Sequence, residues 1–271
     1  MIDLRGHAAL ITGGTQGVGG AIARSLAAAG CDVLIQGLRQ DDHAAATLRR
    51  CQDCGVVAEA IYCDLARPIA ETIPQLLQAC DRLSRPVDCL VNNIGVYIDR
   101  PFLEMDEATY DRTFHLNVKL GYFLTQTLAR RWTADGTAGR VLFTGSINGL
   151  LAEPTHTAYD ASKAAVAGLV RSLCVSLAPH RIRVNSLAPG LVRTPLTNAV
   201  LDADAATLDW MRLHTPSGEV PGPEVCGPLA AFLLSDLAQH IHGQTIYVDG
   251  GMSAWQQPDR PTSSDRPDGK S

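Results

Sequence analysis

The chain has 271 residues, 46% of them hydrophobic and 19% charged, which supplies a substantial core and excludes a mostly disordered protein. At about 150 residues per domain this length fits one or two domains, and a single α/β domain is the simpler expectation. Twenty-three basic against 28 acidic residues leave a net charge of −5 with no long basic block, which argues against a dedicated nucleic-acid binder. No stretch approaches about 18 consecutive apolar residues, and residues 1–20 lack a charged-then-apolar leader pattern, so neither a membrane span nor a secretory signal is expected.

Short β-branched apolar runs recur at 8–12, 32–37, 56–62, 89–92, 140–144, 183–187 and 245–248. Alanine- and leucine-rich segments lie between most of them, which predicts a parallel sheet with helices on both faces. Continuous apolar strands such as Val33-Leu34-Ile35 fit burial on both sides. The first strand enters Thr12-Gly13-Gly14-Thr15-Gln16-Gly17-Val18-Gly19-Gly20, and an amphipathic helix follows at 21–29. Glycines permit a sharp turn and close approach of a pyrophosphate, and the helix N-terminus offers N–H groups to it. A glycine-rich turn without a ligand has the same local pattern. Further on, a helical run at 106–132 is nearly continuous with a bend, and another spans 157–177.

Two regions break the rhythm. Residues 191–222 carry Pro195, Pro216 and Pro221 around a short helical piece with Trp210 and Met211, and are read as a substrate lid or else a surface excursion. Residues 256–271 contain no apolar residue and are read as a flexible tail beyond a catalytic domain of 1–255. Eight cysteines spread along a chain with a large core fit free thiols in a reducing cytoplasm. Cys51 and Cys54 form a C-x-x-C with no second pair, and no metal is expected.

Tyr159 and Lys163 are four apart, so on a helix they share a face. An adjacent ammonium favours a phenolate, which equips a tyrosine to exchange a proton with an alcohol or ketone. Ser146 lies 13 residues before Tyr159, directly after a buried strand, where it either binds a substrate oxygen or turns the chain.

The spacing T-G-x-x-x-G-x-G, with Ser146, Tyr159 and Lys163, resembles the short-chain dehydrogenase/reductase family. The resemblance covers roughly residues 5–253. It includes Asn92-Asn93-Ile94-Gly95, where Ile94 replaces alanine, then Cys63-Asp64-Leu65, Asn117, Pro189-Gly190 with Thr194, and the run 247–251. It implies a Rossmann-like, doubly wound seven-stranded parallel sheet and an NAD(P)-dependent interconversion of a secondary alcohol and a ketone. It implies catalytic roles for Asn117, Ser146, Tyr159 and Lys163, with Asn117 holding a water that links Lys163 to solvent. Cofactor contacts are implied at Gly13, Thr15, Gln16, Gly17, Val18, Gly19, Asp64, Leu65, Asn92, Gly95, Tyr159, Lys163, Pro189, Gly190, Val192 and Thr194. A homotetramer is implied as well, with helices 106–132 and 157–178 pairing.

Cofactor choice turns on the end of the second strand. Gly37 stands where NAD enzymes carry an acid, and Arg39 follows, which favours NADP(H) over NAD(H). Gln16, where many NADP-using relatives are basic, argues the other way, and Arg39 is otherwise a solvated loop charge. For the small-molecule substrate, Ser146, Asn148, Glu153, His156 and Tyr159 are the candidate contacts. Glu153 and His156 either suit a hydroxylated compound or sit on the loop surface, whereas Leu196, Leu201, Trp210 and Leu213 suit an apolar compound. The chain is similar both to sugar or polyol dehydrogenases and to 3-oxoacyl-carrier-protein reductases. Arg130 and Arg131 fit the latter, and Val175, where a second arginine is expected, does not. A catalytically silent cofactor-binding sensor is the alternative of another class. An epimerase or dehydratase would need a separate substrate domain for which the chain has little room.

Overall fold

All seven predicted apolar runs form strands: β1 Ala8–Ile11, β2 Asp32–Gly37, β3 Ala58–Tyr62, β4 Cys89–Asn92, β5 Arg140–Thr144, β6 Arg183–Pro189 and β7 Thr245–Val248. The structure is a computed structural model that describes residues 2–194 and 205–255. The strands build one parallel sheet in the order β3-β2-β1-β4-β5-β6-β7. β1, β4 and β6 are buried along their whole length, which explains their unbroken apolar sequence. β3 starts two residues later than the periodicity predicts, and β6 runs two residues further, to Pro189. Pro189 sits at the strand's last position, where a missing N–H costs the ladder least.

Period-two alternation sorts neighbouring strand residues into two cores. Leu10, Leu34, Leu90 and Phe143 face one side, against Leu76 of helix α3 (Ile69–Cys80), Leu120, Leu124 and Leu128 of α5 (Leu120–Asp135), and Val166 and Val170 of α6 (Thr157–Leu177). Ile11, Val33, Ile35 and Leu142 face the other side, against Ile22 and Leu26 of α1 (Gly17–Ala28) and Leu233 and Leu234 of α8 (Gly227–Leu234). Helix α2 (Asp42–Gln52) begins on Asp41, whose carboxylate accepts from the Ala44 amide at 2.9 Å.

Helix α1 begins at Gly17, four residues before its predicted start, so the last glycines of the loop are already helical. The predicted bend in the 106–132 run is a π-helical segment, His115–Lys119, between α4 (Glu107–Phe114) and α5. Such a turn inserts a residue and re-aims the side chains around it, and Asn117 sits at its centre. α6 matches its predicted bounds. The stretch Thr157–His180 is long and apolar enough to cross a membrane by length and composition, with 22% of its most apolar window buried. Here α6 packs on β6, with Ser162 and Lys163 buried.

The two ends of the sheet differ. At the end away from the glycine loop, Arg140 donates to Asp88 and to Asp236, each at 2.8 Å. Asp88 also accepts from the Ala8 amide at 3.1 Å and pairs with His7 at 2.6 Å. At the carboxyl end the strand order reverses between β1 and β4, which opens a crevice.

Candidate active site

The glycine loop crosses that crevice, and the structure shows what fixes it there. Gln36, 1% exposed, accepts from the Gly13 amide at 2.9 Å and donates to the carbonyls of Gly37 and Cys63. From the other side Asn93 donates to the carbonyls of Thr12 and Gly13, both at 3.1 Å, and its own Oδ1 accepts from Thr144. A Cβ on Gly19 would collide with the Gly13 carbonyl and the Asn93 amide, so only glycine closes the loop onto the helix. Neither Gln36 nor Asn93 was among the candidate residues. Asn92 was, yet its side chain turns inward to Thr125 of α5, at 3.0 Å.

The loop's fitness for a dinucleotide can be read from its own groups. Gln16, the residue before α1, makes no side-chain cap, and the first turn carries no acid, so the amide groups and the positive end of the helix dipole face outward. Thr194 lies against Gly17. These features fit a pyrophosphate. Asp64, exposed, accepts from the Ala66 amide at 2.9 Å and shapes the turn after β3. Leu65 points its side chain into the core, and its carbonyl lies 3.1 Å from His115 Nε2. Gly190 follows β6 and is tied to Val248 by its amide at 3.0 Å. Arg39 is 80% exposed and 3.7 Å from Asp41. At Gly37 a Cβ would stand 2.5 Å from Thr15 Cγ2, so this position is closed to the acid that an NAD-type pocket carries unless Thr15 moves.

Tyr159, Lys163, Ser146 and Asn117 come together from three elements. Lys163 is 5% exposed; its Nζ donates to the Thr144 carbonyl at 2.9 Å and lies 5.6 Å from the Tyr159 ring centre. Burial pulls the Lys163 ammonium down to about 8. Burial pushes the Tyr159 phenol up to about 12, opposed by the hydroxyl of Ser146 beside it. Ser146 also accepts from the Asn148 amide at 3.1 Å, so it both turns the chain after β5 and stands next to the phenol. Asn117 is saturated on its donor side: Nδ2 gives its hydrogens to the Val96 carbonyl at 3.1 Å and to Ser162 at 2.9 Å. Its Oδ1 accepts from the Val96 amide at 2.8 Å and borders Gly95. On the Asn117 side chain these bonds leave the second lone pair of Oδ1 as the open acceptor position.

Asn148, Glu153 and His156 also reach this wall, joined by Tyr97 and Asp160, which the sequence pattern did not single out. Asn148 donates to Glu153 and to Asp160, each at 2.9 Å. Tyr97 meets Tyr159 edge-on at 4.8 Å. Of the expected cover, Arg193 is tied to Pro221 at 2.8 Å, and Trp210 and Leu213 are exposed on helix α7 (Ala205–Leu213). Pro195, Leu196 and Leu201 lie outside the described residues, as does the tail 256–271. On α6, Val175 is 76% exposed.

The family model described as enoyl-(acyl carrier protein) reductase matches residues 13–253. An L-rhamnose 1-dehydrogenase (NAD(P)(+)) of Sphingomonas sp. is 33% identical, over 92% of this chain and 97% of that protein. A 3-oxoacyl-[acyl-carrier-protein] reductase of Aquifex aeolicus is 32% identical, over 93% of this chain and 99% of its own length. Among solved structures, a gluconate 5-dehydrogenase from Burkholderia cenocepacia in complex with NADP and tartrate superposes with a TM-score of 0.85. It is 32% identical, covering 94% of this chain and 98% of that one. With this coverage and the site's geometry in agreement, the chain belongs to the short-chain dehydrogenase/reductase family of NAD(P)-dependent oxidoreductases acting on CH–OH groups.

Proposed function

We propose that residues 1–255 act as one catalytic domain that interconverts a secondary alcohol and a ketone on a sugar- or polyol-type compound, with NADP(H) preferred over NAD(H). The observation that carries this reading is the shared wall of Tyr159, Lys163 and Ser146 at the mouth of the glycine-loop crevice. NADP(H), when bound, supplies or accepts the hydride. Ser146 holds the substrate oxygen beside Tyr159, whose phenol gives that oxygen a proton in reduction and takes one in oxidation. Lys163, held by the Thr144 carbonyl, places its charge beside the phenol and favours the phenolate as it forms. Gln36 and Asn93 hold the loop, and Arg39 offers a guanidinium at the end of β2 for a 2′-phosphate.

The polar groups on the wall and the carbohydrate-acting relatives support a polyhydroxylated substrate over an acyl-carrier thioester. For the latter, Val175 presents no cation on α6, and Arg131 is engaged with Asp81 at 2.8 Å. The same reading takes the protein as a cytoplasmic homotetramer. The largely unburied apolar stretch of α6 supports such an interface, and light scattering measures it.

The first experiment is a parallel titration with NADPH and NADH, followed by nicotinamide fluorescence. Binding of NADPH at least tenfold tighter supports the reading. Tighter NADH reverses the cofactor assignment, and no binding of either removes the proposal.

A further inference from the structure

Next to the reacting groups lies a polar cluster that the proton-transfer chemistry leaves unused. The Tyr97 hydroxyl donates to Glu153 Oε2 at 2.9 Å. His156 Nδ1 lies 3.1 Å from the same oxygen and 3.2 Å from the Tyr97 hydroxyl. The Tyr97 and His156 rings stack at 4.0 Å, and Tyr97 packs edge-on against Tyr159. Glu153 Oε1 accepts from Asn148, whose backbone amide donates to Ser146. The cluster is therefore joined to both Ser146 and Tyr159.

Its members differ in what they have left to offer. Asp160 is engaged on both oxygens, one by Asn148 and the other by the Glu153 amide. The Glu153 carboxylate is 41% exposed and has two oxygens with about four acceptor positions, of which the structure uses three at most. His156 is 5% exposed, and its Nε2 is shut from solvent with no hydrogen-bond partner. Nε2 is therefore out of a ligand's reach, and what the cluster presents is the open acceptor position of the Glu153 carboxylate. The remaining capacity of the cluster is thus acceptor capacity beside a negative charge. Hydroxyl groups satisfy it. A carboxylate, which only accepts and is itself negative, does not.

We infer that Glu153, His156 and Tyr97 form a hydroxyl-recognising subsite that selects neutral polyhydroxylated substrates and discriminates against their carboxylate counterparts. This rests on the carbohydrate reading above and narrows it. Glu153 supplies the charge discrimination, while Tyr97 and His156 hold its carboxylate in place.

The test compares kcat/KM of the full chain, with NADP(H), for matched pairs that differ at one terminus: D-glucitol with D-gluconate, and D-mannitol with D-mannonate. The expected result is a preference of at least tenfold for the neutral member. E153Q should narrow that ratio at least tenfold while NADPH affinity, read by fluorescence, stays unchanged. H156N is the second variant, expected to raise KM for the neutral member at least tenfold with a smaller change in kcat, and it stands in if E153Q does not fold. Equal use of both members by the unaltered protein, or an unchanged ratio in a folded E153Q, overturns the subsite while leaving the carbohydrate reading in place. If NADPH binds and simple ketones are reduced but no alditol, aldonate or keto form of either is turned over, the carbohydrate reading fails and the subsite with it.

Discussion

Lys163 Nζ stands 5.6 Å from the centre of the Tyr159 ring and is tied by 2.9 Å to the carbonyl of Thr144, the last residue of β5. One helical turn of α6 therefore carries both groups, and the sheet supplies the acceptor that aims the lysine. In the free protein, burial keeps the phenol protonated to about 12 and lets the ammonium lose its proton near 8. At neutral pH the pair is a proton-bearing phenol beside a cation, ready to protonate a ketone.

Removing the phenol tests this directly. Tyr159→Phe should lower kcat for reduction by at least about 10²-fold, the scale of general acid–base contributions, with cofactor affinity retained. The reductive kcat/KM of the unaltered protein, which reports the free enzyme, should be level below pH 8 and fall above it as Lys163 discharges. A profile level to pH 10 would contradict the role given to Lys163.

The buried lysine also has a stability signature. Its folded pKa, about 8, lies below the ordinary value of 10.5, so between these values the unfolded chain binds more protons and stability rises with pH. Below pH 8 the full penalty of burying the ammonium is present. Lys163→Met should accordingly be inactive yet more stable at pH 7, by ~2 kcal/mol, with the gap closing towards pH 10. Urea unfolding at pH 7 and pH 10 measures both ends.

Cofactor choice has its own pair of variants. Arg39→Ala should weaken NADPH about tenfold, ~1.4 kcal/mol, and leave NADH nearly unchanged. Gly37→Asp should weaken both, because its Cβ meets Thr15 of the glycine loop before the carboxylate can serve a ribose. A clean switch to NADH in Gly37→Asp would refute that steric account.

The loop's two anchors should matter to folding and binding together. Gln36→Leu takes this partner from the part-buried Gly13 amide and Cys63 carbonyl, while the Gly37 carbonyl keeps the Cys63 amide, and should cost ~1–3 kcal/mol. Asn93→Ala should likewise lower thermal stability and raise the Kd for NADPH. Retained affinity in both variants would show that the loop holds its shape unaided.

At the opposite end of the sheet, Arg140→Ala leaves Asp88 without its 2.8 Å partner and largely buried. A loss of ~3 kcal/mol is expected, with kcat and KM unchanged at a temperature where the variant is folded. A drop in kcat there would mean that the ion network and the crevice are coupled through the sheet.

The sequence by itself determined the strands, most helices and the Tyr159–Lys163 face. Those features depend on local periodicity: apolar runs buried on both faces of a sheet, and a four-residue step on one helix. The carboxyl-end crevice followed from the glycine loop and the alternation of strands and helices. What the tertiary structure decided is which polar side chains meet. Gln36 looks like one polar residue in an apolar strand, and only the approach of the loop after β1 turns it into a clamp. Asn92 and Asn93 are equivalent in the sequence, but strand alternation sends the first to α5 and the second to the loop. Tyr97 gave no signal, because its partners Glu153 and His156 lie 56 and 59 residues away. The π turn at Asn117 was legible as a bend and no more, since the extra residue is fixed by what the side chain bonds: Val96 on one strand's exit and Ser162 on α6. Periodicity is written along the chain, whereas hydrogen-bond partners across the fold are chosen by packing.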